Sequence, residues 1–293
     1  MNEIERETQF ILKKYNIKAN KSLGQNFLIS EEVVNKIVES SNITKKDLVI
    51  EIGPGLGTLT KELLDSANKV ICVELDKRMV EILKDRFKLY SNFELLNQDI
   101  LKTDLKNIIE KEKQSKEIEN VKIVANLPYY ITTPIIMKLL EEKLDLESIT
   151  VMIQKEVADR LTAIPGEKNT GAITYSVYYY AEAKEIMEVP SYSFIPEPEV
   201  TSEVIQLKVR KELKVKTQNE KMMFKIIKNS FTQRRKTLLN ALTNTKIFKE
   251  KNIGIEILKK LNISENARAE ELTLEQFAQI ADEISWRTIW NML

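Results

Sequence analysis

The chain has 293 residues, 43% of them hydrophobic and 30% charged, with 45 Lys and Arg against 44 Asp and Glu for a formal net charge of +1. That is enough chain for about two domains, and it excludes disordered, collagenous and disulfide-scaffold proteins, while any affinity for nucleic acid or membrane has to come from local clustering of charge. The absence of histidine removes Ser-His-Asp triads, Cys-His pairs, His-bound zinc and imidazole catalysis, and the single Cys72 allows neither an internal disulfide nor a cysteine metal cluster.

No apolar run approaches the roughly 18 residues of a membrane span, and the N-terminus mixes Arg6, Lys13 and Lys14 with Glu3, Glu5 and Glu7 in place of a secretory apolar segment. The expectation is a cytoplasmic protein without a membrane partner. From Asp47 onward short apolar runs alternate with helix-period segments, the pattern of βα units around a parallel sheet. The expected strands are 48–52, 70–75, 93–97, 121–126 and 149–153; the expected helices are 58–67, 77–87 and 134–142. Residues 106–120, dense in Lys and Glu, read as a solvated excursion. Residues 172–181, 183–189 and 202–209 then read as consecutive strands, so the sheet is expected to finish with antiparallel members. Beyond about Lys211 the pattern is helical, including 220–243 and 274–286. Two domains are expected: a sheet domain over 1–210 and a small all-α domain over 211–293.

The segment EIGPGLG (51–57) joins the first of these strands to the first helix, and its glycines permit a tight turn with backbone N–H groups near a helix N-terminus. A dinucleotide fingerprint has the spacing G-x-G-x-x-G. Here Gly53, Gly55 and Gly57 follow G-x-G-x-G, with Thr58 where the third glycine of that fingerprint falls. The spacing suits a ligand without a pyrophosphate, such as S-adenosylmethionine; a glycine turn that binds nothing is the bland alternative. Glu74 ends the second strand, where an acid accepts hydrogen bonds from ribose hydroxyls, and Asp99 ends the third, where a carboxylate accepts from an exocyclic amine. Either one alone is also an ordinary polar strand end. Cys72, between Ile71 and Val73, reads as buried and inert.

After the fourth strand comes NLPY (126–129), in which Pro128 stiffens the turn and aims the Asn126 amide and Leu127 carbonyl outward. Such an acceptor pair suits an exocyclic NH2, and Tyr129 offers a face for stacking a base. In isolation the same residues also fit a strand-ending loop with a packing tyrosine.

With these segments KSLGQNFL (21–28), VELD (73–76), QKEVADRL (154–161), FIPEPEVTS (194–202), FTQRRKTLLNAL (231–242) and RAEELTLEQF (268–277), the sequence resembles the rRNA adenine N6,N6-dimethyltransferases, most closely the KsgA-type small-subunit (16S) branch, over residues 18–277. The resemblance implies a Rossmann-like, S-adenosylmethionine-dependent α/β methyltransferase sheet, mostly parallel with antiparallel end strands, followed by a small all-α domain. It implies that Asn26, Leu28, Gly53, Gly55, Glu74, Asp99 and Asn126 bind the methyl donor, that Asn126 and Leu127 face the target amine, and that Tyr129 and Phe194 sandwich an everted adenine. Asn97 and Gln98 stand before Asp99 where many relatives carry a glycine, a departure that bears on the turn geometry.

Charge is unevenly placed. Residues 211–242 hold nine basic and two acidic residues, a local +7, whereas 264–285 hold one basic and six acidic, a local −5. Lys21 and Arg234, Arg235 and Lys236, the last three expected on one helix between Phe231 and Leu238, are the candidate RNA contacts, although a lysine-rich face is also commonly just solvated. The implied function is dimethylation of two adjacent adenosines in the 3′-terminal hairpin of 16S rRNA within small ribosomal subunit particles, by a monomer using S-adenosylmethionine and no metal. The alternatives are an Erm-type 23S rRNA adenine methyltransferase and a non-catalytic ribosome-assembly factor that binds RNA.

Overall fold

A computed structural model describes residues 2–20, 23–167, 169–233 and 235–290, with side chains as far as Trp286. The chain folds into two compact units, the first made of Met1–Ala158 with Glu182–Val209 and the second of Asp159–Ala181 with Arg210–Leu293.

The first unit begins with helix α1 (Glu3–Lys14), which Asn2 caps through its side chain, a short strand β1 (Phe27–Leu28), and helix α2 (Glu31–Ser40), capped by Ser30. The βα alternation follows as β2 (Asp47–Ile52), α3 (Thr58–Ser66), β3 (Lys69–Glu74), α4 (Lys77–Phe87), β4 (Phe93–Asn97), α5 (Leu105–Glu112), β5 (Asn120–Asn126), α6 (Thr132–Glu141), β6 (Ser148–Gln154) and α7 (Lys155–Thr162). All six positions of β2 are buried, as are all but the first of β3, which is what strands covered on both faces require. The remaining elements are α8 (Ala172–Tyr180), β7 (Ala181–Val189), β8 (Phe194–Ile195), β9 (Ser202–Val209), α9 (Glu220–Phe231), α10 (Leu238–Asn244), α11 (Lys251–Lys260) and α12 (Leu274–Trp290).

The main sheet has the order β4-β3-β2-β5-β6-β9-β7. Strands β2 to β6 pair in parallel and β9 joins β6 antiparallel, with Ser202 opposite Gln154. The α/β class with an antiparallel end is therefore as expected. Between β2 and β5 the strand order reverses, leaving a crevice beyond the carboxyl ends of the strands. A second, two-stranded sheet pairs Leu28 of β1 with Phe194 of β8.

Three expectations change. Residues 172–180 form helix α8, not a strand, and only Ala181 joins β7: their aromatic and β-branched composition favours a strand, but packing decides otherwise. Tyr175 donates its hydroxyl to the carbonyls of Ala269 and Leu272 and sits edge-on to Phe277, with ring centroids 5.0 Å apart. This helix lies within Asp159–Ala181, a segment of the second unit. Residues 106–120 are not a bare excursion, since α5 buries Leu105 and Ile109, a stripe too short to register as a period. The run 220–243 is two helices, separated by residues 232–237. Arg235 and Lys236 are exposed in that connection and do not share a helix with Phe231 and Leu238; Arg234 lies outside the described residues.

Gly57 tests how tightly the turn after β2 is built. Its φ is +83°, and a Cβ there meets Phe87 Cε2 at 2.5 Å and Leu83 Cδ2 at 2.9 Å. Gly57→Ala is expected to destabilise the protein by roughly 2–4 kcal/mol through backbone strain and overpacking, read as a lower urea midpoint; an unchanged midpoint contradicts the packing described.

Candidate functional site

Four successive strand ends open on one cleft in the first unit, which encloses about 1070 Å³ of space continuous with solvent. It is lined by Gly53, Gly55, Glu74, Asp99, Asn126, Leu127 and Tyr129 from the strand ends, and by Asn26 and Leu28 from the KSLGQNFL segment. The structure thus brings together every expected donor-binding residue, and every expected acceptor residue except Phe194. The Phe194 ring is 1% exposed, packs in the core with Phe27, Leu28 and Val204, and is absent from the cleft wall. Lys21 lies outside the described residues.

The glycine turn is held from two sides. The Gly53 N–H donates to the Val73 carbonyl at 3.0 Å, and the Gly55 N–H donates to Glu74 Oε2 at 3.2 Å. Glu74 Oε1 accepts from the Asp76 N–H at 2.8 Å, so this carboxylate is fixed by backbone donors on both oxygens. Each oxygen retains a further lone pair for a donor from the cleft. Burial raises the Glu74 pKa, an effect that the backbone N–H groups of Asp76, Gly55 and Leu75 oppose. Gly53, at φ +66°, leaves room beside it, since an added Cβ meets nothing closer than Pro128 Cδ at 3.9 Å.

Asp76 has a different job. It caps α4 through the Arg78 N–H, pairs with the Arg78 guanidinium at 2.6 Å and accepts from Gln25 Nε2 at 2.9 Å, tying the KSLGQNFL segment to the end of β3. Burial and these donors oppose one another, and the Asp76 pKa is lowered on balance. Asp99 accepts from the Leu101 N–H at 2.9 Å through Oδ1. The turn before it is shaped by Asn97, whose Nδ2 donates to the carbonyls of Glu74 at 2.8 Å and Leu75 at 3.2 Å. The Asn97 side chain thus clamps the end of β3.

At the far side, Asn126 Nδ2 donates to the Asn26 carbonyl at 3.3 Å, which fixes the amide so that Oδ1 is its outward acceptor. The Leu127 N–H is taken by the Met152 carbonyl at 3.1 Å, which holds the turn to β6. Pro128 is extended (φ −60°, ψ 130°) and leads into a 3-10 turn at Tyr129–Ile131. The Tyr129 hydroxyl meets Ser202 Oγ at 2.6 Å, and burial raises the tyrosine pKa.

Several residues in or behind the cleft escape sequence reasoning. Ser202, behind the cleft wall, anchors Tyr129 from inside FIPEPEVTS, where it reads only as the start of a strand. Gln25 is hidden in the same way within KSLGQNFL. Leu75 and Ile100, next to Glu74 and Asp99, form an apolar wall for which a strand-end pattern gives no signal. Glu51 is fully buried, accepts from Thr60 Oγ1 at 2.6 Å and from Cys72 Sγ at 3.3 Å, and is pushed up to about 7 by burial. Cys72 is buried and its pKa is raised well above the usual thiol value by burial, in keeping with an inert thiol.

The arrangement presents backbone N–H groups and a left-handed glycine turn at a helix N-terminus, two carboxylates, an apolar wall, and an amide oxygen beside a stacking ring. It can hold a nucleoside by its hydroxyls and base and offer an acceptor pair to a second base. The model of the ribosomal RNA adenine dimethylase family matches residues 16–285. The chain is 45% identical over 280 residues to the ribosomal RNA small subunit methyltransferase A of Alkaliphilus oremlandii, covering 96% of each chain, and 47% identical over 278 residues to the protein of that name from Clostridioides difficile, covering 95% of each. It also superposes on a dimethyladenosine transferase from Plasmodium falciparum with a TM-score of 0.73 and 25% identity, over 89% of this chain and 98% of the other.

Glu51 gives a pH test of the buried floor. Its folded pKa of about 7 stands above the ordinary glutamate value of 4.5, so the neutral carboxyl favours the fold below the unfolded value and that stability is lost as pH rises through the folded one. The unfolding free energy of the unaltered protein relative to Glu51→Gln, read from urea titrations, is expected to fall between about pH 4 and about pH 8, by about 3 kcal/mol in total. Parallel pH profiles for the two proteins contradict it.

Proposed function

Because the chain belongs to the ribosomal RNA adenine dimethylase family, we propose that it transfers methyl groups to the N6 amines of two adjacent adenosines in the 3′-terminal hairpin of 16S rRNA, within small ribosomal subunit particles. The observation that carries this is the convergence of Gly53, Glu74, Asp99 and Asn126 on one cleft, with the Asn126 amide nitrogen taken by the Asn26 carbonyl and its oxygen left to accept.

S-adenosylmethionine is the methyl donor, supplying an electrophilic methyl group on a sulfonium that departs as a neutral thioether. Its fit rests on the room beside Gly53 and on the spare acceptor capacity of Glu74, which suits ribose hydroxyls. Asp99 Oδ2 suits the donor's adenine amine, with Leu75 and Ile100 along the ring, and Asn26 and Leu28 close the side formed by β1.

On the acceptor side, Asn126 Oδ1 and the Leu127 carbonyl accept the two N6–H bonds and favour a more pyramidal, nucleophilic nitrogen as positive charge develops there. Tyr129, its hydroxyl held by Ser202, stacks on the adenine and fixes its plane. Phe194 takes the other face only if the β1–β8 pair opens, because its ring is buried in the core. With no histidine in the chain, catalysis is positioning and electrostatics, and the N6 proton leaves to water. The basic stretch 211–242 of the second unit, with exposed Arg235 and Lys236, contacts RNA phosphates; Lys21 and Arg234 belong to the same set. The protein acts as a cytoplasmic monomer. Among the described residues no helix is long and apolar enough to cross a membrane.

Labelled S-adenosylmethionine, incubated with the protein and either unmethylated small-subunit particles or large-subunit RNA, is expected to label only the small-subunit RNA. Label confined to large-subunit RNA favours the Erm-type alternative, and none on either favours a non-catalytic assembly factor. Asn126→Ala is expected to lower turnover by at least about 100-fold while leaving RNA affinity largely intact; near-normal turnover removes Asn126 from the acceptor role.

A further inference from the structure

Two consecutive tyrosines follow Pro128, and the 3-10 turn sends them different ways. Tyr129 is half-buried and tied to Ser202, whereas Tyr130 is 54% exposed and still lines the same cleft. The exposed part of an aromatic ring lining a cleft is apolar surface open to a ligand. Tyr130 lies against the KSLGQNFL segment: a Cβ on Gly24 would stand 3.4 Å from Tyr130 Cδ1 and 3.7 Å from Cε1. Gly24 itself has φ +61° and so suits a glycine, which lets the backbone approach the ring.

We propose that Tyr130 is a second nucleobase subsite, stacking on the base that flanks the acceptor adenine. The proposal rests on the small-subunit assignment above. When one base enters the cleft to meet Tyr129, its neighbour is left unstacked one backbone step away, beside the ring that is next in the chain. The substrate chemistry also selects stacking as the mode of recognition. Across two successive dimethylations the flanking base is adenine in one cycle and can be N6,N6-dimethyladenine in the other, which has no N6–H to donate. A ring face accepts both, because stacking uses the π surface and not the amine.

The test uses the full protein with reconstituted small-subunit particles. Tyr130→Ala is expected to raise KM for the particle about tenfold while leaving the dissociation constant for S-adenosylmethionine unchanged, and Tyr130→Phe to restore the KM. With 2-aminopurine replacing the flanking adenosine, binding to the unaltered protein is expected to quench its fluorescence, and Tyr130→Ala to abolish the quench. An abasic nucleotide at that position is expected to cost as much as Tyr130→Ala, with no further loss when the two are combined. An unchanged KM and quench in Tyr130→Ala overturn the subsite, as does a fully additive loss. If the unaltered protein labels no small-subunit RNA at all, it is the substrate assignment that fails.

Discussion

The Glu74 carboxylate, 7% exposed, accepts the N–H groups of Gly55 and Asp76 at once. This joins the glycine turn after β2 to the end of β3, and the rest of the site is arranged around it. Parallel pairing aligns Glu51 with Cys72 and with Val124, so β2, β3 and β5 end within one residue of each other at the point where the strand order reverses. A parallel sheet puts its strand carboxyl ends on one edge, and the polar residues that end these strands therefore share a cleft without any long-range device to gather them. Burying a carboxylate is costly unless it is hydrogen-bonded, and here the bonding partners are the very backbone groups that shape the glycine turn.

A second layer of ties fixes the cleft's other walls. Gln25 reaches Asp76, and Asn126 reaches the Asn26 carbonyl, so the KSLGQNFL segment is bonded to both the β3 side and the β5 side of the cleft. Arg86 of α4 bonds the Leu56 carbonyl within the glycine turn and pairs with Glu7 of α1 at 2.7 Å. In the reaction proposed above, backbone and amide contacts place the reacting groups, and a histidine-free chain needs nothing more for a displacement whose leaving group is neutral.

The parallel half of the fold was legible in the sequence because its strands are short apolar runs ended by glycine, acid or asparagine: helix α4 falls at residues 77–87 and strand β4 at 93–97 as the pattern indicates. Gly53, Glu74, Asp99 and Asn126 were legible because each ends or follows a strand. What escaped depends on packing between distant segments. Helix α8 has the composition of a strand and is helical because Tyr175, Tyr179 and Tyr180 pack among helices of the second unit, with Tyr180 stacked on Phe224. Ser202 is 73 residues from Tyr129, and no local pattern joins them. The burial of Phe194 follows from its pairing with Leu28, a two-residue strand too short to read from sequence.

The most direct measurement is a crystal structure with S-adenosylhomocysteine bound. The result expected is the nucleoside at Glu74 and Asp99, with the sulfur directed toward Asn126. A ligand seated away from Gly53 and Glu74, or with its sulfur directed away from Asn126, contradicts the central claim that one cleft at the carboxyl edge of the sheet holds donor and acceptor together.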